Sequence, residues 1–365
     1  MSLLRAEHDA LLFDLDGTLF RGGLALPGAP EALAEAARAG CRVGYLTNNG
    51  SRNAAQVAEH LRALGFDADE REVVTSGQAA ARLLAEQLPA GSAVLVVGTD
   101  ALAGLMTEVG LTITTRAEDA KAVVQGHSPR TAWRDLAEAC LAIRAGALWV
   151  ACNMDATLPD ERGELPGNGS MVAALVSATG RRPEVAGKPE AALYREAVRR
   201  SEARSAVMVG DRLGTDIAGA NAVGLASLLV LTGVSHPAAV LAAPRLERPT
   251  YLAADLGALT TQADRLRPIA QHPWRVWRDT DTLVLAAAGT PTATDPTATN
   301  PASPRDPENP SSDPLDPIAA LRTLCAAHWA EGGGPARTRA DDEAAGRALD
   351  ALGLGAGQPA GDPVG

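Results

Sequence analysis

Lysine is nearly absent from this chain of 365 residues: Lys121 and Lys188 are the only two, and the other 31 basic positions are arginine. Acidic residues outnumber basic ones 44 to 33, for a net charge of -11. That balance excludes a protein that holds nucleic acid by neutralising its phosphates with basic side chains. Any phosphate handled here must be met by local groups. Aromatic residues are only 3% of the chain, so Ala, Val and Leu must fill its cores. The 4 cysteines, Cys41, Cys140, Cys152 and Cys325, are widely scattered with no C-x-x-C, which excludes a disulfide framework or a zinc site and leaves buried free thiols. The 6 histidines form no H-E-x-x-H pair. No apolar run reaches the roughly 18 residues of a membrane span. The first residues carry neither the basic n-region nor the apolar stretch of a signal peptide, so the expected location is the cytoplasm, with no membrane insertion.

What is present is the balance of a globular protein, 46% hydrophobic and 21% charged, in a chain long enough for two cores. Short Val/Leu/Ala runs alternate with longer helical spacings from residue 9 to about 265, the pattern of an α/β fold with a parallel sheet covered by helices. Strands are expected at 10–13, 42–46, 93–97, 122–125, 147–151, 206–209 and 227–231, and helices over 30–39, 53–64, 131–145 and 189–201. Near Gly289 the composition turns to Pro, Thr and Asp up to Pro317, a tract that cannot build a packed core and reads as a linker. Before it, Trp274, Val276, Thr282, Val284 and Leu285 have the spacing of a short hairpin. Beyond it, 318–329 and 341–352 have helical spacing and form a small tail, with Gly332–Gly334 read as a turn between helices.

Four segments carry chemistry. In Ala10-Leu11-Leu12-Phe13-Asp14-Leu15-Asp16-Gly17-Thr18-Leu19 an apolar strand runs into two carboxylates two residues apart. Strand period puts both on one side at the carboxyl end, where ligands bind in an open parallel sheet. Two acids that close resist joint ionisation without a cation, and their hard oxygens suit Mg²⁺. The second segment, Leu46-Thr47-Asn48-Asn49-Gly50-Ser51, ends another strand in small hydrogen-bonding groups, a cradle for an anion or a cap for the next helix. The third, Gly187-Lys188-Pro189, places one of the two lysines before a helix, in a chain that otherwise uses arginine. A lysine is a compact point charge that sits on one phosphate oxygen and one carboxylate. The fourth, Val207-Met208-Val209-Gly210-Asp211-Arg212-Leu213-Gly214-Thr215-Asp216, ends a buried strand in Asp211, placed to complete a metal site with Asp14 and Asp16. Asp216 is then placed to orient Lys188 or a metal-bound water.

In this order the four segments resemble the haloacid dehalogenase superfamily of aspartate-nucleophile phosphatases. The forms L-T-N-N-G-S, P-G-N-G-S-M-V-A-A-L and G-D-R-L-x-T-D are similar to its branch of p-nitrophenyl, pyridoxal and phosphoglycolate phosphatases. The resemblance implies a Rossmann-like core (1–75 and 182–265), an inserted α/β cap (76–181), a short segment (266–289), a linker (290–317) and a small helical tail (318–365). It also implies that Asp14 is the nucleophile and Asp16 the proton donor and base. A Mg²⁺ ion would sit on Asp14, the Asp16 carbonyl and Asp211, with Asp216 assisting, and Thr47, Asn48 and Lys188 would hold the phosphoryl group. The segment 151–159 is similar to the branch's specificity loop. Leu158 stands where pyridoxal phosphatases place a His, while Asn153 and Asp155 could meet hydroxyls of a small polyol. The whole chain further resembles an actinobacterial lineage of capped phosphatases acting on glycerol 3-phosphate, whose C-terminal extension is similar to a truncated acetyltransferase. The expected partner is therefore a small phosphorylated metabolite, with a homodimer left open. Phosphoglycolate, pyridoxal phosphate, transfer of the phosphoryl group to a sugar and a non-enzymatic phosphoaspartate switch stand as alternatives.

Overall fold

The computed structural model describes residues 2–160, 162–288 and 316–355. Its central sheet has six parallel strands in the order Tyr251–Ala253, Ala226–Val230, Ala206–Gly210, Ala10–Asp14, Arg42–Thr47 and Val73–Thr75. Ala10–Asp14 lies in the middle, and its side chains alternate between two apolar clusters. Leu11 and Phe13 pack with Val207, Val209, Leu228 and Val230 on one face, while Ala10 and Leu12 pack with Leu46, Ala206 and Met208 on the other. Burial on both faces is why these strands read as continuous apolar runs rather than alternating ones. It also brings the residues after 14, 47 and 210 to one carboxyl-terminal edge.

A second parallel sheet, in the order Glu184–Val185, Leu148–Ala151, Ala122–Gln125, Ala93–Val97 and Thr112–Thr114, forms the cap. Its edge strand Glu184–Val185 leads directly back toward Lys188. Helix Ser76–Gln87 enters the cap through a capping box, in which Thr75 Oγ1 accepts from the Gln78 N–H and Gln78 Oε1 from the Thr75 N–H. Its Ala79, Ala80 and Leu84 share one cluster with Leu12 and Leu46 of the central sheet and with Leu102 and Val124 of the cap. The two layers are thus joined by an apolar seam as well as by the chain.

The C-terminal region differs from the expected pair of helices. Trp274–Asp279 and Thr282–Ala287 form the expected hairpin, but Arg337–Ala340 adds to it as a third, parallel strand. The glycine turn therefore joins helix Pro317–Ala330 to a strand. The R-T-R-A sequence of that strand has no apolar face of its own; the free edge of the hairpin supplies its pairing. Nor do these elements stand apart. Leu321, Leu324, Cys325 and Leu349 pack with Trp274 and Leu285 and also with Leu213, Ile217, Leu229 and Leu252 of the core. Buried Arg322 donates from Nε to the Leu252 carbonyl at 2.8 Å. Its pKa is pushed down to about 10 by burial. The expected linker lies outside the described residues except for Asp316 and Pro317. All four cysteines are free, and three of them are buried. No helix among the described residues is long and apolar enough to cross a membrane.

Candidate active site

Asp14 closes the central strand and Asp211 follows the neighbouring one, so parallel pairing of Ala10–Phe13 with Ala206–Val209 brings the two carboxylates together. Asp216 reaches them from a π-helical turn, Leu213–Ile217. Carboxylate oxygens of Asp14, Asp211 and Asp216 all lie within 4.8 Å of one another. Such crowding needs small neighbours. A Cβ on Gly17 would stand 2.6 Å from Asp211 Oδ2, one on Gly233 1.9 Å from the same atom, and one on Gly210 2.4 Å from the Asp216 carboxyl carbon. Gly17 also has φ +86°, a conformation that side chains other than glycine's rarely adopt.

Lys188 enters from the return of the cap, its side chain only 3% exposed, and donates to Asp14 Oδ1 and, at 2.8 Å, to Asp216 Oδ1. Burial alone would lower this ammonium's pKa, but Asp14 and Asp216 outweigh burial and hold it above its ordinary value. Burial, then Asp14, pushes Asp211 up to about 6. Burial raises Asp216 to about 7 against the pull of Lys188. Three carboxylates thus crowd one ammonium, an arrangement that a further cation would relieve. Asp211 Oδ2 accepts from the Val234 N–H at 2.6 Å, whereas its Oδ1 is buried with no hydrogen-bond partner among the described residues. An orphaned carboxylate oxygen beside two more carboxylates is a donor set that fits a small hard cation such as Mg²⁺.

Asp16 departs from the strand period that would set its carboxylate beside that of Asp14. It is not among the converging carboxylates; the strand ends at Asp14, and Asp16 is exposed in the turn that bridges to Phe20. Asp216, expected only in support, is in the cluster instead. The cause is local: Gly17 turns the chain immediately, so strand period no longer governs Asp16.

Thr47 Oγ1 accepts from the Asn49 N–H at 3.0 Å, which shapes the loop after the second strand. Asn48 is a hub. Its Oδ1 accepts from the Lys188 N–H at 2.7 Å, and its Nδ2 donates to the Lys188 carbonyl at 3.2 Å and to Asp155 Oδ1 at 3.4 Å. Its own carbonyl accepts from Ser76 Oγ at 2.6 Å and from Asn153 Nδ2 at 2.7 Å. Asn153 and Asp155 of the cap are therefore brought to the site. Leu158 pairs with Leu165 in the hairpin Thr157–Asp160/Gly163–Pro166 that follows this loop. Sequence reasoning missed the loop 232–235. Thr232 Oγ1 donates to the Gly17 carbonyl at 2.6 Å, and Ser235 donates its N–H to the Asp211 carbonyl and accepts from the Leu213 N–H. Its only signal was a glycine following the strand at 226–230.

Comparison with known proteins agrees with this geometry. The haloacid dehalogenase-like hydrolase pattern matches residues 11–112, a second pattern of the same group matches 185–259, and a GCN5-related N-acetyltransferase-like domain matches 308–354. A D-glycerol 3-phosphate phosphatase of Mycobacterium tuberculosis is 54% identical over 76% of this chain and 78% of its own. A 5'-nucleotidase of Bacillus subtilis is 37% identical over 67% of this chain and 94% of its own. The crystal structure of the M. tuberculosis glycerol phosphate phosphatase with magnesium superposes with a TM-score of 0.85 at 46% identity, covering 97% of this chain and 99% of that one. A p-nitrophenyl phosphatase of Archaeoglobus fulgidus gives 0.63 at 27% identity, over 70% and 98%. With its acids at the strand ends, its buried lysine and its cap, the chain belongs to the haloacid dehalogenase-like hydrolases.

Proposed function

We propose that the protein is a Mg²⁺-dependent phosphatase that hydrolyses glycerol 3-phosphate to glycerol and phosphate. The observation that carries the reaction class is the buried Lys188 shared by Asp14 and Asp216 beside the unpartnered Asp211 Oδ1. The substrate rests on the 54% identical relative and on the polar groups that Asn153 and Asp155 bring from the cap.

In this reading a carboxylate oxygen of Asp14 attacks phosphorus and the ester P–O bond breaks. The departing alkoxide takes a proton from Asp16, whose exposed position at the turn suits a group that must reach bulk water. Asp16, now ionised, removes a proton from water as that water attacks phosphorus, and the Asp14–phosphorus bond breaks to restore the enzyme. Lys188, with Thr47 and the loop that Asn48 organises, balances charge on the transferring oxygens. Asp14 and Asp211, assisted by Asp216 and the Asp16 carbonyl, would hold Mg²⁺, whose positive charge lets a dianionic ester approach three carboxylates. The cap would close over a small ester and offer Asp155 to its hydroxyls, with Asn153 accepting from the Asp155 N–H at 3.1 Å and so fixing that residue.

Asp14→Asn removes the attacking charge at almost constant volume. It is expected to abolish glycerol 3-phosphate hydrolysis in a protein that still folds and melts cooperatively, because Lys188 keeps Asp216 as a partner. Steady phosphate release from the purified variant would refute the assignment of the nucleophile.

A further inference from the structure

The cap loop that reaches Asn48 is itself held from behind by one buried side chain. Asn168 opens helix Asn168–Thr179 and is 2% exposed. Its Nδ2 donates to the Asn153 carbonyl at 2.8 Å and to the Gln125 carbonyl at 3.3 Å. The residues around it grip the rest of the loop: the Gly169 N–H donates to the Asp155 carbonyl at 2.9 Å, the Gly167 N–H to the Ala156 carbonyl at 2.8 Å, and Ser170 Oγ to the same carbonyl at 2.7 Å. Four donors thus converge on the carbonyls of Asn153, Asp155 and Ala156. The approach is too close for any side chain, since a Cβ on Gly169 would lie 2.2 Å from the Met154 carbonyl oxygen and one on Gly167 2.3 Å from that of Asp155. On its far side the loop meets the core through Asn153 Nδ2 on the Asn48 carbonyl and Asn48 Nδ2 on Asp155.

We propose that Asn168, seated between Gly167 and Gly169, is a positioning residue that sets the register of the 153–156 loop over the phosphate site and thereby selects substrates by their hydroxyl groups. The inference rests on the phosphatase reading above and deepens it. Asn168 touches neither the carboxylates nor Lys188. Asn48 keeps three other bonds, to Ser76 and to both backbone groups of Lys188, when the cap loop moves. Loss of the clamp should therefore shift Asp155 and the Asn153 side chain that accepts its N–H, while sparing the phosphoryl chemistry. A site that reads hydroxyls loses its discrimination when those groups are misplaced.

The test uses the full chain with saturating Mg²⁺ and two substrates, glycerol 3-phosphate and p-nitrophenyl phosphate, which lacks hydroxyls. Asn168→Asp keeps the volume and removes both N–H donors; Gly169→Ala pushes on the same loop from the clamp side, its Cβ falling 2.2 Å from the Met154 carbonyl oxygen. Each variant is expected to raise KM for glycerol 3-phosphate about tenfold or more, with kcat/KM for p-nitrophenyl phosphate within about threefold of the parent. Equal losses on both substrates, or no loss on either, in a variant that melts like the parent would overturn the proposal. If Asn168→Asp does not fold, the same comparison is read from Gly169→Ala. A parent enzyme that releases phosphate from neither substrate would refute the phosphatase reading itself, which is a separate result.

Discussion

Replacing Lys188 by methionine isolates what one buried charge does in this site, because the unbranched side chain is only one atom shorter and carries no charge. The Lys188 and Asp216 side chains are 3% and 1% exposed and meet at 2.8 Å. At an effective dielectric near 20, that contact alone is an attraction of about 6 kcal/mol, offset by several kcal/mol spent desolvating the ammonium. Removing one partner of a buried pair typically leaves a net loss of about 3–5 kcal/mol, so Lys188→Met is expected to melt well below the parent when no divalent cation is present. Mg²⁺ should act in the opposite direction. With the ammonium gone, three carboxylates face the cation without a competitor, so the rise in melting temperature on adding Mg²⁺ should be larger in the variant than in the parent. Turnover should still fall by about 10²–10³, the usual cost of removing one preorganised charge from a developing anion, even with Mg²⁺ saturating. Phosphate release and thermal melting with and without Mg²⁺ read both effects. A variant that keeps more than a tenth of the parent's kcat, or gains no more from Mg²⁺ than the parent does, would show that Lys188 does not balance these carboxylates.

Two further outcomes follow from the same structure. In the metal-free protein Asp211 and Asp216 are raised by burial to about 6 and about 7, above the ordinary aspartate value of about 3.9. The unfolded chain therefore releases these protons first, and metal-free stability should fall as pH rises from about 4 to about 7. Mg²⁺ binds the ionised forms, so its stabilising shift in melting temperature should grow across the same window; a shift independent of pH would contradict the shared-proton picture. Deleting residues 289–365 removes Leu321, Leu324 and Leu349 from a cluster that includes Leu213 and Ile217, which flank the turn carrying Asp216. The shortened chain should melt lower or aggregate and should need more Mg²⁺ for half-maximal activity, and a truncation with the parent's melting curve and Mg²⁺ dependence would show that the tail is an independent appendage.

Much of the site was legible locally. An apolar run ending in Asp14, another ending in Asp211 and one of only two lysines, Lys188, in an arginine-rich chain are each visible within a few residues; the runs stand out because burial on both faces of a parallel strand writes itself as continuous hydrophobicity. The strands at 93–97, 122–125 and 147–151 were legible in the same way, while their grouping into an inserted cap came from the family resemblance alone. The short strands Val73–Thr75, Thr112–Thr114, Tyr251–Ala253 and Arg337–Ala340 were not, since three or four residues carry no readable period and borrow their conformation from a neighbour's edge. Contacts distant in sequence were likewise hidden. That Asp216 rather than the Asp16 side chain joins Asp14 and Asp211, that Val234 holds Asp211, and that Asn168 clamps the loop leading to Asn48 are consequences of strand order and of a glycine turn at Gly17. The sequence by itself determined which residues could do chemistry, through composition and strand-end position. Only the tertiary structure decided which of them meet, because a parallel sheet brings together strand ends nearly two hundred residues apart and a single turn can send an adjacent side chain away from them.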